Sequence, residues 1–209
     1  DKGFGPALGP DGRAVLFFSE QDRLSLDLFL ADTETGRVTR KLATLAGSAK
    51  FESLEALRSA GAWSWDGQRV AFAAIGRGQS SVVVVDVRGA APARTIRFPR
   101  PGQVLTPAWS PDGERLAFSV LEGGVTNLYL YDLRADAIRQ LTNDPYADLH
   151  PAWSPDGQRI AFVTDRFSTD LATLHFGAAE LATIDVASGA VTPQPAIDGG
   201  SHGSPQWSA

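Results

Sequence analysis

Apolar and polar positions along this chain keep returning to one phrase: tryptophan, serine, a turn, arginine, then residues that alternate up to a phenylalanine. It reads WSWDGQRVAF at 63–72, WSPDGERLAF at 109–118 and WSPDGQRIAF at 153–162. A worn copy, LGPDGRAVLF, fills 8–17, and a bare start, PQWSA, fills 205–209. Starts at positions 8, 63, 109, 153 and 207 give a period of 44–55 residues. Self-similarity at that period is the mark of a repeat architecture. Ser-Pro-Asp-Gly predicts a tight hairpin: proline presets φ at the second turn position, aspartate suits the third, and glycine tolerates positive φ. Beyond it, Leu116 and Phe118 point one way and Ala117 the other, as do Val70/Phe72 around Ala71 and Ile160/Phe162 around Ala161. This period of two predicts a strand with a bulky face and a small one. A third strand ends on aspartate in each repeat: LFLAD at Asp32, VVVVD at Asp86, LYLYD at Asp132 and LATID at Asp185. A more polar fourth follows, as at 37–42 and 137–141.

Four short antiparallel strands make a sheet too thin to shield both faces, and stacking such sheets as blades buries them. The expected fold is therefore an all-β β-propeller of four four-stranded antiparallel blades plus the first strand of a fifth. The repeats cover approximately 4–42, 60–99, 105–142 and 149–195, with the next beginning at 203–209. One partial propeller domain over 1–209, an arc of a larger ring, is the expectation. The spacings place extra residues at 43–59 and 166–180. In the first, Phe51, Leu54 and Leu57 have the spacing of one helical turn.

Composition narrows the function classes. Glycine (21) and proline (13) punctuate the strands. No apolar run approaches the roughly 18 residues of a membrane helix, and no signal peptide lies within the chain. Cysteine is absent, which excludes disulfides and thiol chemistry. The net charge of −5 is dispersed and forms no basic stripe, which argues against nucleic acid. The chain starts with Asp1 and has no methionine, as expected of a processed product or an excised segment.

The phrases PAWSPDGERLAFS (107–119) and HPAWSPDGQRIAFVTDR (150–166), each followed by a strand ending in Asp, with Gln140-Leu141-Thr142 closing one repeat, resemble the TolB-type WD-like propeller repeat. The resemblance runs over essentially the whole chain. It implies a periplasmic, cell-envelope scaffold that docks protein partners. Similar repeats also form the gating propellers of prolyl-oligopeptidase-type serine peptidases, and occur in envelope proteins beside peptidase-like or outer-membrane barrel domains. Residues 165–176 (DRFSTDLATLHF) are most similar to that last group. Fold alone does not fix which of these applies.

No catalytic signature is present: no Gly-x-Ser-x-Gly elbow and no His-Glu-x-x-His helix. Ser201 to Ser204 places a serine beside His202, but neighbours on a strand face opposite ways. His150, His175 and His202 lack metal-ligand spacing to one another. Asp32-Thr33-Glu34-Thr35-Gly36 and Asp185-Val186-Ala187-Ser188-Gly189 share one frame at one repeat position, and read as hairpin turns rather than a calcium loop. No catalytic residue, metal or cofactor is expected. Tryptophans 63, 109, 153 and 207 read as inter-blade core, and Arg69, Arg115 and Arg159 as partners of the recurring aspartate. First-strand residues line the channel of a propeller, which makes the variable Ala60, Thr106, His150 and Ser204 contact candidates, with Asp148 beside His150. Arg166 and Phe167 open the other candidate, the 166–180 insertion. Its Phe167, Leu171, Leu174 and Phe176 are expected to cover a blade edge, or else to meet a partner.

Overall fold

The computed structural model describes residues 3–19, 27–44, 53–54, 61–76, 78–89, 94–195 and 203–208. These residues form strands and turns, with no helix among them. The first sheet runs in chain order through β1 (Gly3–Leu8), β2 (Ala14–Ser19), β3 (Asp27–Asp32) and β4 (Val38–Thr44). The second holds β5 (Ser53–Leu54), β6 (Ala62–Trp63), β7 (Arg69–Gly76), β8 (Gln79–Asp86) and β9 (Arg94–Arg97). The third holds β10 (Gln103–Trp109), β11 (Arg115–Glu122), β12 (Val125–Asp132) and β13 (Ala137–Gln140). The fourth holds β14 (Asp148–Trp153), β15 (Arg159–Thr164), β16 (Glu180–Asp185) and β17 (Val191–Pro193). Two compact units divide the chain, Asp1–Thr106 and Pro107–Ala209.

The second sheet departs from the four-strand expectation. Its inner position is shared by β5 and β6, both antiparallel to β7. Leu54 pairs with Ala74 and Ala62 with Ala71, so seven residues intervene on one side and two on the other. Of the stretch 43–59 where extra length is expected, 45–52 and 55–59 lie outside the described residues, and Ser53–Leu54 pairs with β7. Leu54 is in a strand, not a helical turn, while Phe51 and Leu57 lie outside the described residues. Three apolar residues at that spacing fit either structure, and pairing with β7 decides it.

Each unit buries its own core between two sheets. In the first, Leu16, Phe18 and Leu28 face Val70, Phe72, Ala74, Val83 and Val85. Phe18 and Phe72 meet edge to face, with centroids 6.5 Å apart. In the second, Ala117, Leu128 and Leu130 face Trp153, Ile160, Phe162, Ala182 and Ile184. In the second unit the face that carries Ala117 meets the one that carries Ile160 and Phe162, which is why phenylalanine and alanine alternate in the phrase. Repeat one carries Leu16 at the alanine position, and Leu16 is fully buried.

The hairpin turns repeat atom by atom. Gly113 N–H donates to Ser110 O at 2.9 Å, and Gly113 has φ 68°. The buried Ser110 hydroxyl donates to Asp112 Oδ1 (2.5 Å) and accepts from Arg115 N–H (2.9 Å). Ser64 and Ser154 make the same bonds to Asp66 and Arg69, and to Asp156 and Arg159. Burial pushes the Asp112 carboxyl up, but the Ser110 hydroxyl, the Glu114 N–H and Arg115 together outweigh it and hold the group below the usual carboxylate range.

Candidate interaction site

A latch joins the first two sheets in one unit and the last two in the other. It also ties the segment 203–208, which forms no strand where the first strand of a fifth blade is expected, to the fourth sheet. The indole N–H of Trp63 donates to Ala7 O at 3.0 Å. That of Trp153 donates to Ala108 O at 3.2 Å, and that of Trp207 to Ala152 O at 3.0 Å. The acceptor is each time the residue just before the tryptophan position of the preceding repeat. Arginine closes the latch from outside: Arg115 Cζ sits 4.7 Å from the Trp153 ring centroid and Arg159 Cζ 5.2 Å from that of Trp207. Arg115 also bonds Asp112 Oδ2 (3.2 Å) and Gly157 O (3.4 Å). Trp109 and Trp153 are buried. Arg115 does partner an aspartate of its own turn, but its larger contact is the next repeat's indole.

The Asp32 and Asp185 segments are hairpin turns. Asp32 Oδ1 accepts from Thr35 N–H (2.7 Å) and Gly36 N–H donates to Asp32 O (3.0 Å). Asp185 Oδ1 accepts from Ser188 N–H (2.8 Å), and Gly189 N–H donates to Asp185 O (2.8 Å).

The first-strand candidates share a backbone feature. Thr106 (φ 37°), His150 (φ 56°) and Ser204 (φ 49°) each precede a proline and each take the left-handed conformation. Between Leu149 and Ala152 the pairing with β15 slips, so His150 and Pro151 form a bulge. A left-handed φ is costly for a β-branched residue such as threonine, and strained positions cluster at sites of contact. Thr106 Oγ1 is buried with no hydrogen-bond partner among the described residues. Ala60 and His202 lie outside the described residues.

Asp148 and Arg166 come together beneath the insertion. Arg166 Nη2 lies 2.9 and 2.8 Å from the two carboxylate oxygens of Asp148, and 3.0 Å from Asp144 Oδ2. Its Nε donates to Thr164 Oγ1 at 3.2 Å. The guanidinium also lies over Phe162 (5.7 Å) and Tyr146 (5.9 Å). Asp148 is fully buried. Burial pushes its carboxyl above the usual range, against the Thr164 and Thr142 hydroxyls and Arg166, which pull it down. Sequence reasoning does not reach Thr142, Asp144 or Tyr146, because they lie outside the repeated phrase. The one signal was an Asp-Arg pair directly after a strand.

Above this hub the insertion is held by its own hydrogen bonds. Ser168 and Thr169 N–H donate to Asp165 O, and Asp170 and His175 exchange both backbone bonds (2.9 and 3.0 Å). Thr169 Oγ1 accepts from Gly177 N–H, and Ser168 Oγ donates to Ala178 O. The apolar side chains on this frame stay outside: Leu174 and Phe176 are 71% exposed, Phe167 42% and Leu171 38%. This exposure runs against the first of the two expectations for them, that they cover a blade edge. Among the described residues no helix is long and apolar enough to cross a membrane.

Comparison with known proteins places this geometry. The TolB beta propeller domain matches residues 54–209. TolB from Acinetobacter baumannii superposes with a TM-score of 0.67 at 22% identity, over 92% of this chain and 43% of that one. A putative TolB from Agrobacterium tumefaciens gives 0.68 at 18% identity, over 96% and 64%. A puromycin-hydrolyzing peptidase from Mycobacterium tuberculosis gives 0.62 at 17%, over 93% and 29%. The chain therefore spans less than two thirds of the length of each, and at these identities the likeness is one of fold. No curated protein matches the chain.

Proposed function

Because the chain belongs to the TolB beta propeller domain family, we propose that it is a non-enzymatic interaction scaffold of the bacterial cell envelope that binds protein partners. The observation that carries the reading is the insertion: four large apolar side chains held outward on a hydrogen-bonded frame, anchored from below by Arg166 and Asp148. Apolar groups held in water at this density fit a protein contact. The left-handed Thr106, His150 and Ser204, in register from repeat to repeat, are the second contact set. The repeat phrase runs on in the same order through 1–209, which supports reading the chain as one partial propeller domain.

The test compares the wild-type chain with Leu174→Ser/Phe176→Ser as bait in bacterial envelope extracts. Both side chains are exposed, so the fold is retained. A partner identified by mass spectrometry is captured by the wild type and lost by the variant. Equal capture by both removes the insertion as the docking surface. A bait that recovers no specific protein removes the scaffold reading.

A second reading is an accessory propeller gating a larger hydrolase, favoured by the likeness to the puromycin-hydrolyzing peptidase. A Gly-x-Ser-x-Gly segment with later Asp and His in the flanking sequence would select it.

A further inference from the structure

The first unit has a cleft that the repeat fills elsewhere. It has a volume of about 430 Å³ and its lining includes Asp11, Ala14, Trp63, Trp65, Asp66 and Arg88. The equivalent space in the second unit belongs to Arg115, which stacks on Trp153 and bonds Asp112 Oδ2 and Gly157 O. Arg159 likewise stacks on Trp207. Strand pairing fixes the correspondence: Arg115 opposes Asp132 and Arg159 opposes Asp185, while in the first sheet Ala14 opposes Asp32. Repeat one therefore has alanine where its siblings have arginine. The other walls are kept. Asp11 corresponds to Asp112, Gly67 to Gly157, and Pro10 lies against Gly67 as Pro111 lies against Gly157. Trp63 is half-buried where Trp153 is 3% exposed. Trp65, in place of the usual proline, adds a second indole that is 46% exposed. Arg13, next to Ala14, is exposed and does not line the cleft.

We propose that this cleft is a receptor for the guanidinium of an arginine side chain supplied by a partner protein, which stacks on Trp63 and pairs with Asp11 as Arg115 does on Trp153 and Asp112. The chemistry of the walls selects it. Indole faces attract a cation, and the planar fork of arginine matches a carboxylate beside a carbonyl. The Asp66 carboxyl is pushed up by burial, yet the Ser64 hydroxyl, the Gln68 N–H and Arg69 hold it below the usual range, so it adds negative charge. Arg88, also in the lining, brings one opposing charge. The source of the guanidinium rests on the scaffold reading above; the site itself rests on the cleft and on its correspondence with the Arg115 site of the second unit.

The full chain is titrated with N-acetyl-arginine-methylamide while the indole N–H signals of Trp63 and Trp65 are followed by NMR. The same is done with the lysine compound and with the neutral citrulline isostere. Arginine is expected to saturate in the millimolar range, lysine to bind more weakly, and citrulline at least tenfold more weakly. Ala14→Arg fills the cleft from within: it abolishes the response and raises Tm by about 2–4 °C. Asp11→Asn keeps the acceptor for Arg13 N–H and weakens arginine binding severalfold, while Arg88→Ala strengthens it. Citrulline binding as tightly as arginine overturns the proposal. So does an undiminished response in Ala14→Arg or, should that variant not fold, in Asp11→Asn. If capped arginine binds but envelope extracts yield no partner, the site stands and the scaffold reading falls.

Discussion

Removing one buried hydroxyl tests how the turns hold the blades. In Ser110→Ala, Arg115 N–H loses the Oγ acceptor at 2.9 Å, and Asp112 Oδ1 loses a donor at 2.5 Å. Ser110 is fully buried, so water does not readily replace the missing partner. A buried donor left unsatisfied costs about 1–3 kcal/mol, and that is the expected loss in urea unfolding, with an unchanged m-value. The pH dependence separates this cause from a simple packing defect. Asp112 has a lowered folded-state pKa. Such a group contributes stability that is present above its unfolded value and lost as pH falls through the lower folded one. The variant lacks one of the interactions that lower it. The stability gap between the two proteins therefore narrows as pH drops below the ordinary carboxylate value, and the carboxyl carbon of Asp112 titrates at higher pH in the variant. A gap below about 0.5 kcal/mol, within the range of ordinary surface changes, would refute the reasoning. So would a gap that stays constant or widens on acidification.

Leu16→Ala installs the residue that the other repeats carry, yet it should cost about 2–5 kcal/mol in urea unfolding, because Leu16 is fully buried in the first unit's core. Trp153→Phe removes the indole bond to Ala108 O and weakens the stacking of Arg115; a loss of about 1–3 kcal/mol in chemical unfolding is expected. Arg166→Ala strands the buried Asp148 carboxylate and should destabilise by about 3–5 kcal/mol, with Asp148→Asn in the same chain restoring part of the loss.

What could be read in advance was whatever the ten-residue phrase contains. Turn, strand, strand-end aspartate and buried tryptophan all arise from residues close in sequence and recurring in register, so each repeat checks the others. The inner strand of the second sheet was not legible, because the spacing of Phe51, Leu54 and Leu57 carries no information about pairing with β7. The Arg166 hub was half legible. Arg166 and Asp148 could be named, but Asp144, Thr142 and Thr164 converge on them only through tertiary structure. Of the two expectations for the insertion's apolar residues, exposure counts against the covering of an edge, and hydrophobicity alone does not reveal that Asp165, Ser168 and Thr169 make hydrogen bonds within the loop. Ala14 carried its signal in plain alignment with Arg69, Arg115 and Arg159, but a missing side chain is noticed only once its space is seen.

The indole-to-carbonyl bond always runs from a later repeat back to an earlier one. Within each half of the chain the later repeat therefore plugs into the earlier one, so the joint has a direction. A joint built from one indole and one carbonyl at fixed places in the repeat depends only on its nearest neighbour, which is the condition under which repeats can be added or lost singly. Where the arginine that covers such a joint is replaced, as by Ala14, the joint still holds but its outer side stands open as a socket.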